Sequence, residues 1–181
     1  MIIAIITEVN IMTQDVYDQI SDRIDPAQLE CPCCGHTGTT VHGYYERKLK
    51  TPAGKITLLI KRIRCSFCGK THAILPSTIV PYSQISMKDT VAFITARTPA
   101  EREKVMKETP EIDESDMYRI LGSYKRHWKE RLASHGLAID SGLPEKCIRI
   151  FRRQFMQIPC TVCGSHGCNH IIQQDIGLSF P

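Results

Sequence analysis

The chain has 181 residues, 42% of them apolar and 23% charged, with a formal net charge of only +4. That length holds one ordinary domain or two small ones, and the composition is that of a globular protein rather than a disordered one. No stretch approaches the ~18 apolar residues needed to span a bilayer, and Met1 to Glu8 lacks the basic n-region of a leader, so a cytoplasmic, nucleoid-associated location without membrane contact is expected.

Charge is unevenly distributed. Residues 1–30 carry Glu8, Asp15, Asp18, Asp22, Asp25 and Glu30 against Arg23, whereas residues 42–72 carry Arg47, Lys48, Lys50, Lys55, Lys61, Arg62, Arg64 and Lys70 against Glu46. A bias of this kind points to a polyanion-facing surface on one part of the molecule. The first 30 residues read as a short apolar strand and then an acidic helix, in which Met12, Val16, Ile20 and Ile24 recur every four residues and give one packing face. This segment is expected to be an acidic packing arm without chemistry, ended by Asp25-Pro26.

Two cysteine pairs follow, Cys31-Pro32-Cys33-Cys34-Gly35 and Cys65-Ser66-Phe67-Cys68-Gly69. Two C-x-x-C pairs, each followed by glycine, supply the four thiolates of a closed tetrahedral Zn²⁺ site. Glycine lets the backbone turn sharply, so that amides point at the sulfurs and both thiolates reach one ion. Cys31, Cys34, Cys65 and Cys68 are the expected ligands. Cys33 falls at an interior position that points away, and His36, His42 and His72 are expected to be solvated or phosphate-facing. In a reducing compartment paired cysteines favour metal over disulfide, and a thiol-redox site would need one pair rather than two matched ones. With four protein ligands there is no open position, so the ion would be structural.

Between the knuckles, Thr39–Leu49 and Lys55–Arg64 read as strands joined by the turn Thr51-Pro52-Ala53-Gly54. Residues 31–76 thus form a zinc ribbon. A proline-punctuated connector with Pro76 and Pro81 leads into residues 77–140, where the period becomes helical. Ser86 caps a helix with the stripe Met87, Val91, Ile94. Thr98-Pro99-Ala100-Glu101 is a capping box with proline at the first helical position, and that helix runs to Glu108. A third helix from Asp113 carries Met117, Ile120, Leu121, Tyr124, Trp128 and Leu132 at spacings of three and four. Three short helices of this kind fit a helix-turn-helix. Residues 141–181 hold a basic helix around Ile148, Phe151 and Phe155, and a Cys/His-rich tail in which Cys160, Cys163, Cys168 and His170 form a possible second metal site, with His166 as the alternative fourth ligand. The fold class is therefore α+β: a small ribbon, a three-helix bundle and a cysteine-rich tail, with one Zn²⁺ expected and a second if the tail binds metal.

Arg47, Lys48, Lys50, Lys61, Arg62 and Arg64 of the hairpin are read as DNA-binding cations, and Arg119, Lys125, Arg126 and Lys129 of the third helix join them. Ser115, Asp116, Tyr118, Arg119 and Ser123 would face the bases. The acids Asp113, Glu114 and Asp116 oppose this unless they turn away. No catalytic residue is assigned: the acids cluster without a β-rich core to hold a nuclease site, and no Gly-x-Gly phosphate loop occurs.

Cys31-Pro32-x-Cys34-Gly35, Val41-His42-Gly43-Tyr44-Tyr45-Glu46-Arg47-Lys48, Arg62-Ile63-Arg64-Cys65-x-x-Cys68-Gly69-Lys70-Thr71-His72, Leu75-Pro76 and Val80-Pro81-Tyr82 together resemble the N-terminal zinc ribbon of a group of bacterial insertion-sequence transposases. They resemble still more a family of small uncharacterised mobile-element proteins with this ribbon and a following helix-turn-helix. The resemblance spans about residues 31–135. It implies that Cys31, Cys34, Cys65 and Cys68 bind zinc and that ribbon and helices bind element-end DNA. Such transposases continue into an acidic-triad nuclease domain that has no counterpart here, so the expectation is a non-enzymatic, zinc-dependent protein of double-stranded DNA, partnered by a second copy of itself or by a mobile-element nuclease. The alternative is a zinc-ribbon interaction module of the transcription machinery.

Overall fold

The computed structural model describes residues 2–5, 9, 11–140, 142–151 and 153–157. The chain opens with strand β1 (Ile2–Ile5) and helix α1 (Gln14–Asp22), whose N-cap Thr13 accepts from the Val16 amide. A 3₁₀ turn at Pro26–Gln28 leads to the first cysteine pair, and strands β2 (Thr39–Thr51), β3 (Gly54–Cys65) and β4 (Thr71–Pro76) follow. The sheet order is β1-β4-β3-β2: β2, β3 and β4 are antiparallel neighbours, and β1 adds in parallel to β4. The fold is α+β, with the expected hairpin between the two cysteine pairs and its turn at Pro52-Ala53. Strand β4 lies where the sequence suggests only a connector. Its Thr-His-Ala-Ile-Leu-Pro run has two prolines close by, but the edge it needs is supplied by β3 and by the distant β1.

Helix α1 lies on β3 and β4, and residues 12–29 share one core with the sheet: Tyr17, Ile20, Leu29, Ile60, Ile63 and Ile74 are fully buried together. Tyr17 has a specific role in this core. The β3–β4 ladder pairs Arg62–Arg64 with Thr71–Ala73, and beyond Arg62 the Tyr17 hydroxyl bridges the two strands. It accepts from the Lys61 amide (2.8 Å) and donates to the Ile74 carbonyl (3.1 Å). Removing that hydroxyl strands a buried donor and a buried acceptor. Tyr17→Phe is therefore expected to lower stability by about 1–3 kcal/mol in urea unfolding without changing the secondary structure; a change below ~0.5 kcal/mol would show that water replaces the relay.

The second half is helical. Helix α2 (Met87–Thr95) is capped by Ser86, and α3 (Pro99–Glu108) starts with the capping box of Thr98 and Glu101. Helix α4 (Glu114–His127) starts with a second capping box, Asp113 with Asp116. Helices α5 (Lys129–Ser134) and α6 (Leu143–Phe151) complete the described set. The periodicity predicts one helix from Asp113 past Leu132; the structure breaks it at Trp128, where φ is −123°. Trp128 is fully buried and meets Phe151 and Phe155 edge-on at 5.9 and 5.4 Å. The Trp128 backbone leaves the helical well there, although its amide still donates to the Tyr124 carbonyl and its carbonyl still accepts from Leu132 (2.9 Å each). A second core, from Val80 to Met156, centres on Phe93, Trp128, Leu143 and Phe155.

The two cores are joined by polar contacts. The Arg47 guanidinium donates to the carbonyls of Val80 (2.6 Å) and Ser83 (2.7 Å). The Gln154 amide nitrogen donates to those of Ser77 (2.6 Å) and Ile79 (2.8 Å). Lys50 pairs with Asp116 at the start of α4. Among the described residues no helix is long and apolar enough to cross a membrane.

Candidate metal centre and basic face

Both cysteine pairs fold into the same turn. In the first, the Cys31 amide donates to the His36 carbonyl (2.8 Å) and the Gly35 amide to the Cys31 carbonyl (2.9 Å). In the second, Cys65 donates to Lys70 (2.9 Å) and Gly69 to Cys65 (3.0 Å). Gly35 and Gly69 sit at φ +73° and +68°, a left-handed conformation that glycine adopts without strain. Backbone amides also reach the sulfurs, from Cys33 to Cys31 Sγ (3.4 Å) and from Cys68 to Cys65 Sγ (3.5 Å).

The root of the hairpin brings the two turns together. The sulfurs of Cys31, Cys34, Cys65 and Cys68 all lie within 4.8 Å of one another, with Cys31–Cys68 at 3.5 Å and Cys34–Cys65 at 3.7 Å. A tetrahedron with ~2.3 Å metal–sulfur bonds has edges of about 3.8 Å, so the spacing fits an ion and is far longer than a disulfide. These four residues can hold a metal ion. Burial pushes the Cys31 thiol up to about 12, and the Lys70 amide holds Cys68 down to about 7. A cation at the centre favours the thiolate at all four positions. Cys33 is exposed and lies outside the set, as expected.

His72 does not match its expected place in solvent. Strand β4 turns it inward opposite Ile63, and it is 1% exposed. Its Nε2 is 3.3 Å from Cys31 Sγ, and burial lowers its pKa to about 4, so the ring is neutral; towards a Cys31 thiolate, the tautomer protonated at Nε2 would be the donor. Contacts of this kind orient a metal ligand from behind. The alternation of Thr71-His72-Ala73-Ile74 already puts His72 on the same face as the buried Ile74, but only once β4 is known to be a strand. His36 and His42 are exposed.

The cations separate into two groups. Lys61 is buried beneath α1, donating to the Ser21 carbonyl (3.2 Å) and to Asp22 (2.9 Å). Lys50 faces Asp116 and Arg47 holds the Val80–Ser83 turn, while Arg62 donates to Thr71 Oγ1 (2.9 Å). Lys48, Arg64, Arg119, Lys125, Arg126 and Lys129 are exposed. On α4, Ser115, Arg119, Gly122 and Arg126 succeed one another at helical spacing, with the exposed Tyr118 and Lys125 beside them. Asp116, expected on this face, is instead buried: its carboxylate accepts from Lys50 and Arg119 and caps the helix. Asp113 accepts from the Asp116 amide (2.9 Å) and from Ser115 (2.6 Å). Cys160, Cys163, Cys168 and His170 lie outside the described residues.

Residues 31–120 match a family model described as "Domain of unknown function (DUF6431)". The match runs from the first cysteine pair through the hairpin and α2 and α3 to the middle of α4. No curated protein matches the chain, and no solved structure does.

Proposed function

We propose that the four cysteines hold one structural zinc ion, that the hairpin between them is a zinc ribbon, and that α3 and α4 form a helix-turn-helix whose second helix enters the major groove of duplex DNA. The observation that carries the reading is the outward face of α4. Arg119, Lys125 and Arg126 surround Gly122, and of the three acids at the helix start Asp113 and Asp116 are engaged in the capping box and the Lys50 pair, while Glu114 is exposed and outside both. Glycine inside a helix is destabilising by about 0.5–1 kcal/mol against alanine. Nothing inside the chain requires it here, since a Cβ at Gly122 would meet no atom within 4 Å. A bare backbone at the centre of a basic face suits close approach by an external surface such as a groove wall.

The DNA-facing set narrows to Lys48, Arg64, Arg119, Lys125, Arg126 and Lys129, because Arg47, Lys50, Lys61 and Arg62 are engaged within the fold. The resemblance to insertion-sequence transposases suggests mobile-element ends as the DNA. Duplex binding followed against salt tests the reading. About four phosphate contacts should give a slope near −3.6 in log K against log salt, at ~0.9 per contact. Arg126→Gln should flatten that slope by about 1, and Lys61→Gln should affect stability instead of the slope. A salt-independent or undetectable signal would remove the reading.

A further inference from the structure

The tips of the two cysteine turns carry rings that neither the metal centre nor the α4 face uses. Phe67, inside the second turn, is 68% exposed. His36, just after the first turn, is exposed too. The rings stack face to face, with centroids 3.7 Å apart and planes 10° from parallel. The histidine is held in place: its Nδ1 lies 3.1 Å from the Cys34 carbonyl, which can only accept, so Nδ1 carries the proton and donates. Phe67 lies between Cys65 and Cys68 in the second turn, and both turns converge on the same sulfur cluster. An apolar ring of this size in water is unfavourable, by roughly 25 cal/mol per Å² exposed, and nothing local requires Phe67: the backbone bonds of its turn are made by Cys65, Gly69 and Lys70. With His36 covering one face, most of the remaining Phe67 surface is open to a planar guest. The surroundings are cationic. The Arg64 guanidinium lies over Gly69 of the same turn, 3.6 Å from where a Cβ would sit, and the exposed Lys70 follows.

We propose that the Phe67–His36 stack is a landing platform for an unpaired nucleobase, with Arg64 and Lys70 holding the adjoining phosphates. Aromatic faces beside cations are how single-stranded nucleic acid is gripped without sequence preference. This deepens the nucleic-acid reading. It assigns α4 to the duplex and the cysteine turns, Arg64 with them, to a frayed or single-stranded extension of the same DNA. Because the rings come from different turns, the platform exists only when the four sulfurs are held together.

The test uses the metal-loaded full chain and anisotropy of labelled oligonucleotides. The probes are a blunt duplex, the same duplex with a short oligothymidylate tail, the same with an abasic tail that keeps the phosphates and lacks the bases, and the two tails as free single strands. The thymidine tail should bind about tenfold tighter than the abasic one, both on the duplex and as a free strand. Phe67→Ala should abolish that ratio. Phe67→Trp should keep or raise it, with quenching of the new indole. Phe67→Leu, which retains apolar bulk without a π face, should behave as the alanine variant. Metal content and circular dichroism of each variant confirm that the turns are intact. A base-to-abasic ratio near one in the wild type overturns the platform, as does a ratio that survives in Phe67→Ala. The free-strand arm separates the two ideas: base-dependent tail binding without duplex binding retains the platform and sinks the role of α4, whereas duplex binding without base dependence does the reverse.

Discussion

Cys65→Ser is expected to cost the chain its metal and the order of the hairpin root, whereas Cys33→Ser should leave both unchanged. Cys65 is the last residue of β3, is 1% exposed, and has its sulfur among the other three. A serine hydroxyl is a poor replacement for a thiolate, and three remaining ligands leave the ion open to water and loosely held. The apparent contribution of a structural zinc at neutral pH is ~10–16 kcal/mol in isolated zinc modules, against total stabilities of ~5–15 kcal/mol for whole domains. Even a partial loss therefore exceeds what an ordinary surface substitution does, which is within about ±0.5 kcal/mol. The buried α1–sheet core around Tyr17 and Ile60 does not depend on the sulfurs, so α1 should persist longer on heating than the cysteine turns. Elemental analysis and thermal unfolding of the two variants are the measurement. Equal metal loss from both would show that the ligand set is misassigned.

Asp116→Ala is expected to destabilise the protein by about 3–5 kcal/mol, although the residue is on a helix and close to the surface. Its carboxylate receives Lys50 from the hairpin and Arg119 from its own helix, and it closes the capping box with Asp113. The Lys50 and Asp116 side chains are 12% and 8% exposed, so cutting one away leaves an ammonium group largely out of water without a counter-charge. The penalty for that orphaned charge, rather than the loss of an attraction, makes the effect large. A second substitution makes the distinction: Lys50→Met in the Asp116→Ala background should recover much of the loss, because it removes the charge and keeps the stem that packs. Urea unfolding of the two single variants and the double variant gives the coupling. Strict additivity would mean that the pair is screened by water and contributes nothing.

The lysine–aspartate pair also shows where sequence reading ends. Features set by neighbours within a few residues were legible. The two glycine-closed cysteine turns, the hairpin with its turn at Pro52-Ala53, the Ser86 cap and the Thr98 capping box each arise from backbone geometry and side-chain hydrogen bonds made over three or four positions. The four-sulfur set was legible because each C-x-x-C-G spacing is local and the hairpin read between the pairs brings the two turns together. Charge counting could show that the hairpin is basic, but not which cations remain in water. Lys61 is buried because α1, some 40 positions earlier, folds back over β3, and Lys50 is neutralised by Asp116, 66 positions later.

Strand β4 was missed because a six-residue strand is specified by the edges it joins as much as by its own residues. His72 was misplaced with it. The Phe67–His36 stack requires two turns to converge. What the sequence by itself determined was the local geometry of the turns and caps and which four cysteines can share an ion. The tertiary structure alone decided which polar groups are buried against which partners, and so which cations and rings remain on the surface to meet another molecule, because burial depends on contacts between segments far apart in the chain.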